Sequence, residues 1–321
     1  MVDIVREYAF SGDLKSTSVL DFDVVITGSG TAGLFSALSI DKGLTCAVLN
    51  KLGAEESNSI YAQGGIASVT LPYDSWESHL SDPLVAGAGL CDEQAVSVLV
   101  KEGPDNIKRL IKYGVQFDKD DNGDLSISTE GAHSVNRILH CGGDATGFHI
   151  IKALLAEVEK KQNVTRFDNT SLVDVLTDEN NCVSGVIVQG SDGNYMVLRS
   201  RNVIIASGGI GRIYRNSTNA SCATGDGIAA AMRAGAKTEN MEFVQFHPTA
   251  LIHPDLNMRY FLISEALRGE GGILRNRKWE PFLQSVHPMA DLAPRDIVSR
   301  AIVSEMEKND QIGRASCRER V

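Results

Sequence analysis

The chain of 321 residues has little positive charge and no long apolar run. Its 31 Lys and Arg against 41 Asp and Glu give a formal net charge of −10. Binding to nucleic acid needs a basic face, so we expect no nucleic-acid partner. No stretch approaches roughly 18 uninterrupted apolar residues, so no membrane span is expected. The N-terminal residues carry charges and lack an apolar segment, which argues against a secretory signal.

Closely spaced cysteines are also missing. The six cysteines form no CxxC pair or other zinc-ligand spacing, and we expect no metal site. Widely spaced thiols are typical of a reduced, cytoplasmic protein rather than of a disulfide framework. Hydrophobic residues make up 43% of the chain, which is enough to bury a core. The length suggests about two domains.

A glycine-rich turn follows the first apolar run. Residues 22–27 (FDVVIT) predict a buried strand, and residues 34–50 predict a helix followed by a second strand. Gly28, Gly30 and Gly33 stand between the first strand and the helix, in the GxGxxG order that brings backbone close to a pyrophosphate. This unit predicts an α/β fold with a Rossmann-like parallel sheet. An ordinary glycine-rich turn is the alternative.

Further patterns complete the predicted fold. Four short β-rich runs between residues 171 and 207, separated by polar turns, predict a β-meander. Two helices are expected between residues 92 and 113, with a break at Gly103 and Pro104, because proline removes a helical hydrogen bond. The other predicted helices cover residues 144–161, 226–236, 263–268 and 295–308.

The residues that follow the second predicted strand depart from a common pattern. An acidic residue often stands there and holds ribose hydroxyls, but this chain has Asn50 and Lys51. The amide can still accept from a hydroxyl, and the ammonium can offset phosphate charge. The pair gives little support for NAD specificity, and NADP would favour an arginine.

Residues 57–65 (SNSIYAQGG) combine polar side chains with paired glycines, as a loop along a flat ligand would. The segment resembles the flavin-contacting loop of the family that includes succinate dehydrogenase, fumarate reductase and L-aspartate oxidase. In the respiratory members of that family, a histidine of this loop bonds covalently to FAD. Asn58 stands at that place here, so the resemblance implies non-covalent FAD.

Two further segments extend the resemblance. Residues 130–147 resemble the EGxHS…RILH…DxTG stretch of the L-aspartate oxidases, in which the carboxylate of Glu130 would pair with a substrate ammonium. A solvated loop glutamate is the alternative, because most glutamates are exposed. Residues 223–227 resemble the family's TGDG turn, which would direct Asp226 toward the cofactor. A helix-capping role for Asp226 is compatible with this.

Residues 241–250 (MEFVQFHPTA) resemble the family's EFxQFHPT segment. Gln245, His247 and Thr249 alternate, so in an extended chain they share one face and could bind a substrate carboxylate. A buried histidine with satisfied hydrogen bonds is the alternative for His247.

Residues 264–272 resemble the family's T/S-E-x-x-RGEGG, in which Ser264 would bind a carboxylate and Glu265 would orient a neighbouring cation. A surface ion pair is the alternative. Residues 291–301 (DLAPRDIVSRA) resemble DLAxRDxVxRA. Arg295 would then be the catalytic residue, with a guanidinium that presents fixed donors to a carboxylate. A structural arginine at a helix start is the alternative.

The resemblance covers residues 22–301 and implies FAD-dependent oxidation of L-aspartate to iminoaspartate, with O2 or fumarate as acceptor, as the first step of NAD biosynthesis. It also suggests transfer of the product to quinolinate synthase. The cofactor-binding residues that it implies are Gly28, Ser29, Gly30, Thr31, Ala32, Gly33, Asn50, Lys51, Asn58, Ser59, Ile60, Tyr61, Ala62, Gln63, Gly64, Gly65, Ser171, Leu172 and Asp226. A soluble fumarate reductase and an FAD-binding fragment without chemistry are the alternatives.

The resemblance also suggests a domain organisation. Residues 20–244 are expected to form an incomplete FAD-binding domain, and residues 245–311 the start of an α+β substrate-capping domain. Residues 312–321 resemble a sequencing adapter translated in frame, and we expect them to be non-native. Further substrate-binding His and Arg residues of the family would lie beyond residue 311. Weak FAD binding and poor turnover are therefore expected of this chain.

Overall fold

The computed structural model describes residues 8–53, 55–251, 259–308 and 316–318, without the side chains of Ala266 and of residues 316–318. The chain divides into two compact units, each formed by two segments. Unit 1 comprises Met1–Tyr61 and Gly147–Phe243, and unit 2 comprises Ala62–Thr146 and Val244–Val321.

Regular elements run through both units. The described strands are β1 (Ser18–Asp21), β2 (Val24–Thr27), β3 (Cys46–Leu49), β4 (Ile66–Ala67), β5 (Ile127–Ser128), β6 (Ile138–Leu139), β7 (Val164–Phe167), β8 (Ser171–Thr177), β9 (Val183–Gln189), β10 (Tyr195–Arg199), β11 (Val203–Ile205), β12 (Ala250–Leu251), β13 (Phe261–Leu262), β14 (Ile273–Arg275) and β15 (Ser316–Arg318). The described α-helices are α1 (Thr31–Ser39), α2 (Trp76–Ala86), α3 (Glu93–Lys112), α4 (Thr146–Glu159), α5 (Asp226–Arg233), α6 (Ala266–Gly269) and α7 (Arg295–Lys308). Within these ranges, no helix has the length and apolarity needed to cross a bilayer.

A parallel sheet of order β11-β2-β3-β7 forms one layer of unit 1. All four residues of β2 and of β3 are buried, as expected for central strands that are covered on both faces. The predicted strand–turn–helix–strand unit is confirmed by β2, α1 and β3. Ligands of open α/β sheets bind beyond the carboxyl ends of the strands, so the turn after β2 stands where a nucleotide binds.

An antiparallel meander of β8, β9 and β10 forms the second sheet of unit 1, with β1 added in parallel to β10. The predicted meander is thus confirmed for three of its four runs. It is wrong for residues 202–207, because β11 pairs with β2 of the parallel sheet. Local sequence favours a strand there, but burial in the tertiary fold selects its partner. The two sheets and α5 share a core of Val25, Ala47, Leu49, Val175, Val186, Val188, Leu198 and Ala230.

Unit 2 contains short sheets among helices. β4, β6 and β5 form an antiparallel sheet, and β12 pairs with β13 and β14 with β15. α7 packs against β14 through a core of Leu274, Leu283, Ala293, Val298 and Ala301. The start of α7 at Arg295 therefore lies next to a packed core, which fixes the position of that residue.

Two predicted helices differ from the structure. α3 runs without the break expected at Gly103 and Pro104. A Cβ on Gly103 would lie 3.3 Å from Ser68 Oγ, so this glycine permits close packing and does not end the helix. The helix predicted for residues 263–268 is reduced to α6, because β13 pairs with β12 immediately before it.

Candidate functional site

The backbone around the turn between β2 and α1 leaves no room for a Cβ at Gly28 or at Gly33. Gly28 has a φ of +115°, and a Cβ there would lie 2.2 Å from the carbonyl oxygen of Ala206. A Cβ on Gly33 would lie 1.8 Å from the carbonyl oxygen of Gly28. Gly30 precedes α1 and provides no side-chain cap, while Ser59 Oγ accepts from the first N–H of the helix at 3.1 Å. Such a helix start binds phosphate through its remaining N–H groups.

A cavity of unit 1 adjoins this turn. Its empty volume is about 780 Å³, including the part open to solvent, which is within the usual range for small-molecule sites. The predicted cofactor residues that line it are Gly28, Ser29, Gly30, Asn50, Lys51, Asn58, Ser59, Leu172 and Asp226. Thr31, Ala32, Gly33, Ile60, Tyr61 and Ser171 belong to unit 1 but are not in this lining, and Ala62, Gln63, Gly64 and Gly65 belong to unit 2.

The sequence does not predict some of the lining residues. Thr27, Thr170, Ala206, Ser207 and Cys222 also face the cavity. For two of them the sequence gives an indication, because the apolar run of β11 leads directly into Ala206 and Ser207 and then into paired glycines. A strand end of this kind, next to the turn after β2, is where the backbone approaches a ligand.

Two polar residues after β3 reach the cavity. Asn50 is 5% exposed, and its amide nitrogen is buried without a hydrogen-bond partner among the described residues. A buried unpaired donor costs about 1–3 kcal/mol, so a ligand oxygen at this place would stabilise the fold. Lys51 Nζ lies 2.5 Å from Asp226 Oδ2 and 2.7 Å from Thr224 Oγ1. The two charges expected to face the cofactor therefore pair with each other.

Asn58 is bonded within unit 1 through both polar atoms of its amide. Its Nδ2 donates to Asn219 Oδ1 at 2.8 Å, and its Oδ1 accepts from the N–H of Ala220 at 2.7 Å. An amide that bridges two loops in this way has a structural role, and it is no nucleophile toward a flavin.

These features fit the ADP part of FAD. The glycine turn and the start of α1 suit a pyrophosphate, and the unpaired amide of Asn50 suits a ribose hydroxyl. Unit 1 therefore has the donors and the open backbone that a dinucleotide needs.

Unit 2 brings Glu265, Arg268 and Arg295 together. Glu265 is 6% exposed, and its carboxylate accepts a hydrogen bond from Arg295 Nε and lies 3.2 Å from Arg268 Nη2. One buried carboxylate thus serves two guanidinium groups. The Arg295 side chain is 37% exposed, and the described residues supply no hydrogen-bond partner for its two Nη groups. Such an arginine can bind a carboxylate through paired donors.

His247 lies within the electrostatic field of this cluster. Burial, followed by the nearby charge of Arg295, holds the pKa of His247 below its ordinary value of 6.5. Its Nδ1 lies 2.8 Å from the carbonyl oxygen and 3.2 Å from the N–H nitrogen of Thr249. Nε2 is buried, with no partner in the described part of the chain. The backbone of Thr249 can support either tautomer, so Nε2 is able to donate or to accept.

The other predicted substrate residues of unit 2 differ in their surroundings. Gln245 is exposed, whereas Thr249 is buried and its hydroxyl donates to the carbonyl of Ile263 at 3.1 Å. Ser264 is half-buried and follows β13. The hydroxyl of Thr249 therefore stabilises the β12–β13 hairpin.

Glu130 contacts the loop of residues 62–65. Its Oε1 accepts a long hydrogen bond of 3.4 Å from the N–H of Gly65, and a Cβ on Gly64 would lie 3.1 Å from the same oxygen. A Cβ on Gly131 would lie 2.4 Å from Glu265 Oε1. Three motifs that are separate in the sequence therefore meet in unit 2.

Similar curated proteins include L-aspartate oxidases. The chain is 44% identical over 309 residues to the chloroplastic L-aspartate oxidase of Oryza sativa subsp. japonica, covering 93% of this chain and 48% of that protein. It is 43% identical over 293 residues to the L-aspartate oxidase of Streptomyces coelicolor, covering 89% and 50%. The chain therefore spans about half the length of the curated relatives it matches.

Solved structures and a family model agree on the fold. An E. coli quinol fumarate reductase superposes with a TM-score of 0.85 at 30% identity, covering 92% of this chain and 52% of that chain. The family model described as "FAD binding domain" matches residues 23–317. With the glycine turn and the cavity of unit 1, this match shows that the chain belongs to the FAD binding domain family.

Proposed function

We propose that this chain is the FAD-binding portion, with part of the substrate site, of an L-aspartate oxidase. Such an enzyme oxidises L-aspartate to iminoaspartate, with O2 or fumarate as acceptor, in the first step of NAD biosynthesis. The observation that carries the proposal is the carboxylate of Glu130 against the loop of residues 62–65, which resembles the flavin loop of the family. An amino diacid offers an ammonium group to this carboxylate, and a plain dicarboxylate offers none.

Arg295 and His247 are proposed to bind the substrate carboxylates. Glu265 fixes the guanidinium of Arg295 through Nε, and the two Nη groups remain for a carboxylate. Neutral His247 offers Nε2, and Gln245 and Ser264 are proposed to complete the set. The hydroxyl of Thr249, which the sequence also suggests for this set, donates to the carbonyl of Ile263 and so supports the β12–β13 hairpin instead. FAD, when bound, accepts the two electrons that leave the substrate Cα as a hydride.

Unit 1 is proposed to hold FAD through the glycine turn and the amide of Asn50. We expect the cofactor to be non-covalent, because Asn58 replaces the histidine of the covalent members. Precipitation with acid should therefore leave the yellow colour in the supernatant, as measured by absorbance. An Asn58→Asp variant serves as the control: it keeps the side-chain shape and the acceptor for Ala220 but loses the donor to Asn219, and its flavin should also stay in the supernatant. Flavin that stays with the precipitated wild-type protein would contradict the proposal.

The test of function uses the full-length protein, meaning the natural chain that contains this sequence. Anaerobic addition of L-aspartate should bleach the flavin absorbance. Glu130→Gln should raise the KM for L-aspartate roughly 10- to 100-fold, because a charge-assisted hydrogen bond contributes about 1.5–3 kcal/mol. The inhibition constant of succinate should change less than about twofold, because succinate has no ammonium for Glu130 to bind.

Two other outcomes identify the alternatives. The structural likeness to quinol fumarate reductase favours a soluble fumarate reductase as the second candidate. In that case Glu130→Gln leaves the substrate preference unchanged. Bleaching by a chemical reductant alone indicates an FAD-binding module without chemistry.

The proposal also includes the transfer of the product, the location of the protein and its domain boundaries. Transfer of iminoaspartate to quinolinate synthase and a cytoplasmic location both stay predictions, and the rice relative is called chloroplastic. The assignment of residues 20–244 and 245–311 to two domains, and the non-native origin of residues 312–321, also stay predictions.

A further inference from the structure

A second charged cluster in unit 2 lies outside the proposed substrate residues. Arg137, which is 1% exposed, directly precedes β6. Its Nε and Nη2 each donate to one oxygen of Asp74 at 2.9 Å, and its Nη1 donates to Asp82. Nη2 also donates to Ser78 Oγ at 3.0 Å. Because Ser78 and Asp82 belong to α2 and Asp74 precedes it, the arginine fixes the start of β6 to that helix.

The same aspartate holds the turn of residues 130–134. Asp82 Oδ2 accepts from the N–H of Ser134 at 2.9 Å and from its hydroxyl at 3.0 Å. Within the turn, the N–H of His133 donates to the carbonyl of Glu130 at 3.3 Å. His133 Nδ1 also lies 3.3 Å from Arg137 Nη1. Glu130 therefore begins a turn whose other end is bonded to a buried ion pair.

The backbone of this turn is strained. Ala132 has a φ of +67°, a left-handed conformation that costs stability in any residue other than glycine. Strain of this kind persists only when the surroundings over-determine the conformation. Gly131 packs against Glu265 on one side, and Ser134 is bonded to Asp82 on the other. The turn is thus held at both ends.

The ionisation states in this cluster keep its hydrogen bonds in place at neutral pH. Hydrogen bonds from Arg137 hold the pKa of Asp74 below its usual range. Burial raises the pKa of Asp82, but hydrogen bonds from Ser134 and Arg137 outweigh it and lower the pKa overall. Burial and then the charge of Arg137 lower the pKa of His133. At neutral pH the cluster therefore contains the ionised carboxylates of Asp74 and Asp82, the guanidinium of Arg137 and the neutral imidazole of His133.

We propose that Arg137 is a positioning residue for the recognition of the substrate ammonium. Through Asp82 and Ser134 it holds the turn of residues 130–134, so that the carboxylate of Glu130 stays on the loop of residues 62–65. The bond from Gly65 to Glu130 is 3.4 Å long, which is too weak to hold that carboxylate alone. The inference rests on the proposed function, because it assumes that Glu130 binds an ammonium group.

The experiment compares Arg137→Lys, Asp82→Asn and Ser134→Ala in the full-length, FAD-loaded protein. Arg137→Lys keeps the charge but loses the paired geometry, and we expect the KM for L-aspartate to rise about tenfold. Asp82→Asn should give a similar change, and Ser134→Ala a change of about threefold. The inhibition constant of succinate, the kcat and the affinity for FAD should change less than about twofold.

A matched control exists in unit 1. Arg199 makes the same paired bonds to Asp21, at 2.7 and 2.8 Å, on an exposed surface. Arg199→Lys should leave the ratio of the aspartate KM to the succinate inhibition constant unchanged. If Arg137→Lys fails to fold, Asp82→Asn and Ser134→Ala still test the proposal. In both of these variants Arg137 keeps its paired hydrogen bonds to Asp74.

Hydrogen exchange gives a readout that does not depend on catalysis. The amides of residues 131–134 should exchange at least about tenfold faster in Asp82→Asn, because the N–H of Ser134 loses its charged acceptor. Unchanged exchange, or equal changes in the aspartate and succinate constants, would overturn the proposal. A wild-type protein that does not oxidise L-aspartate refutes the proposed function, and the exchange result then decides separately whether the cluster holds the turn.

Discussion

Replacement of Arg295 by glutamine is expected to lower kcat/KM for L-aspartate by about 10²–10³-fold, which corresponds to roughly 3–4 kcal/mol of lost transition-state stabilisation. The side chain is the exposed member of a pair whose carboxylate, Glu265, is buried. Glutamine removes both Nη donors proposed for the substrate. Arg295→Lys should lose less activity, because it keeps the charge without the planar fork.

A control for this result lies on the same helix. Arg300 is bonded to Asp296 at 2.7 Å, and its side chain is 70% exposed. Arg300→Gln should change the rate of flavin reduction less than about twofold, because exposed ion pairs contribute little. Stopped-flow absorbance with anaerobic L-aspartate measures both variants. Equal losses in the two variants, or full activity of Arg295→Gln, would show that Arg295 does not bind the substrate.

Gly28→Ala is expected to weaken FAD binding at least about 100-fold and to destabilise unit 1 by roughly 3 kcal/mol or more. Two penalties combine at this position. The φ of +115° disfavours any Cβ, and the added atom would lie 2.2 Å from the carbonyl oxygen of Ala206. Because that oxygen belongs to the backbone after β11, the collision displaces the parallel sheet from the turn.

Gly53→Ala separates the two penalties. Gly53 has nearly the same φ, +114°, but no atom of the described part of the chain lies within 4 Å of its added Cβ. This variant should lose only about 1–2 kcal/mol from backbone strain and should bind FAD within about threefold of the wild type. Thermal unfolding and fluorescence titration with FAD measure the two quantities. Equal losses in Gly28→Ala and Gly53→Ala would show that the close approach to Ala206 has no role.

Local patterns predicted the elements that depend on nearby residues. The apolar runs and the glycine turn predicted β2, α1 and β3, and α7 begins and ends at the predicted residues 295 and 308. Each of these elements is set by its own apolar pattern and its own turn residues, so a short window of sequence contains enough information.

The wrong predictions depend on distant partners. Residues 202–207 join the parallel sheet because β2 lies beside them, and Gly103 sits within α3 because Ser68 packs against it. The site shows the same limit. The family motifs include Arg137, but its acceptors Asp74 and Asp82 lie 63 and 55 residues away. No periodicity indicates such a pairing.

The strand order of unit 1 has a consequence for the nascent chain. β2 pairs with β3 on one side and with β11 on the other, and about 150 residues separate β3 from β11 along the chain. At roughly 5–20 residues per second of translation, one edge of a fully apolar strand stays uncovered for about 8–30 s. An open apolar edge is a template for aggregation. Chaperone binding on the ribosome is therefore most valuable between the synthesis of these two strands.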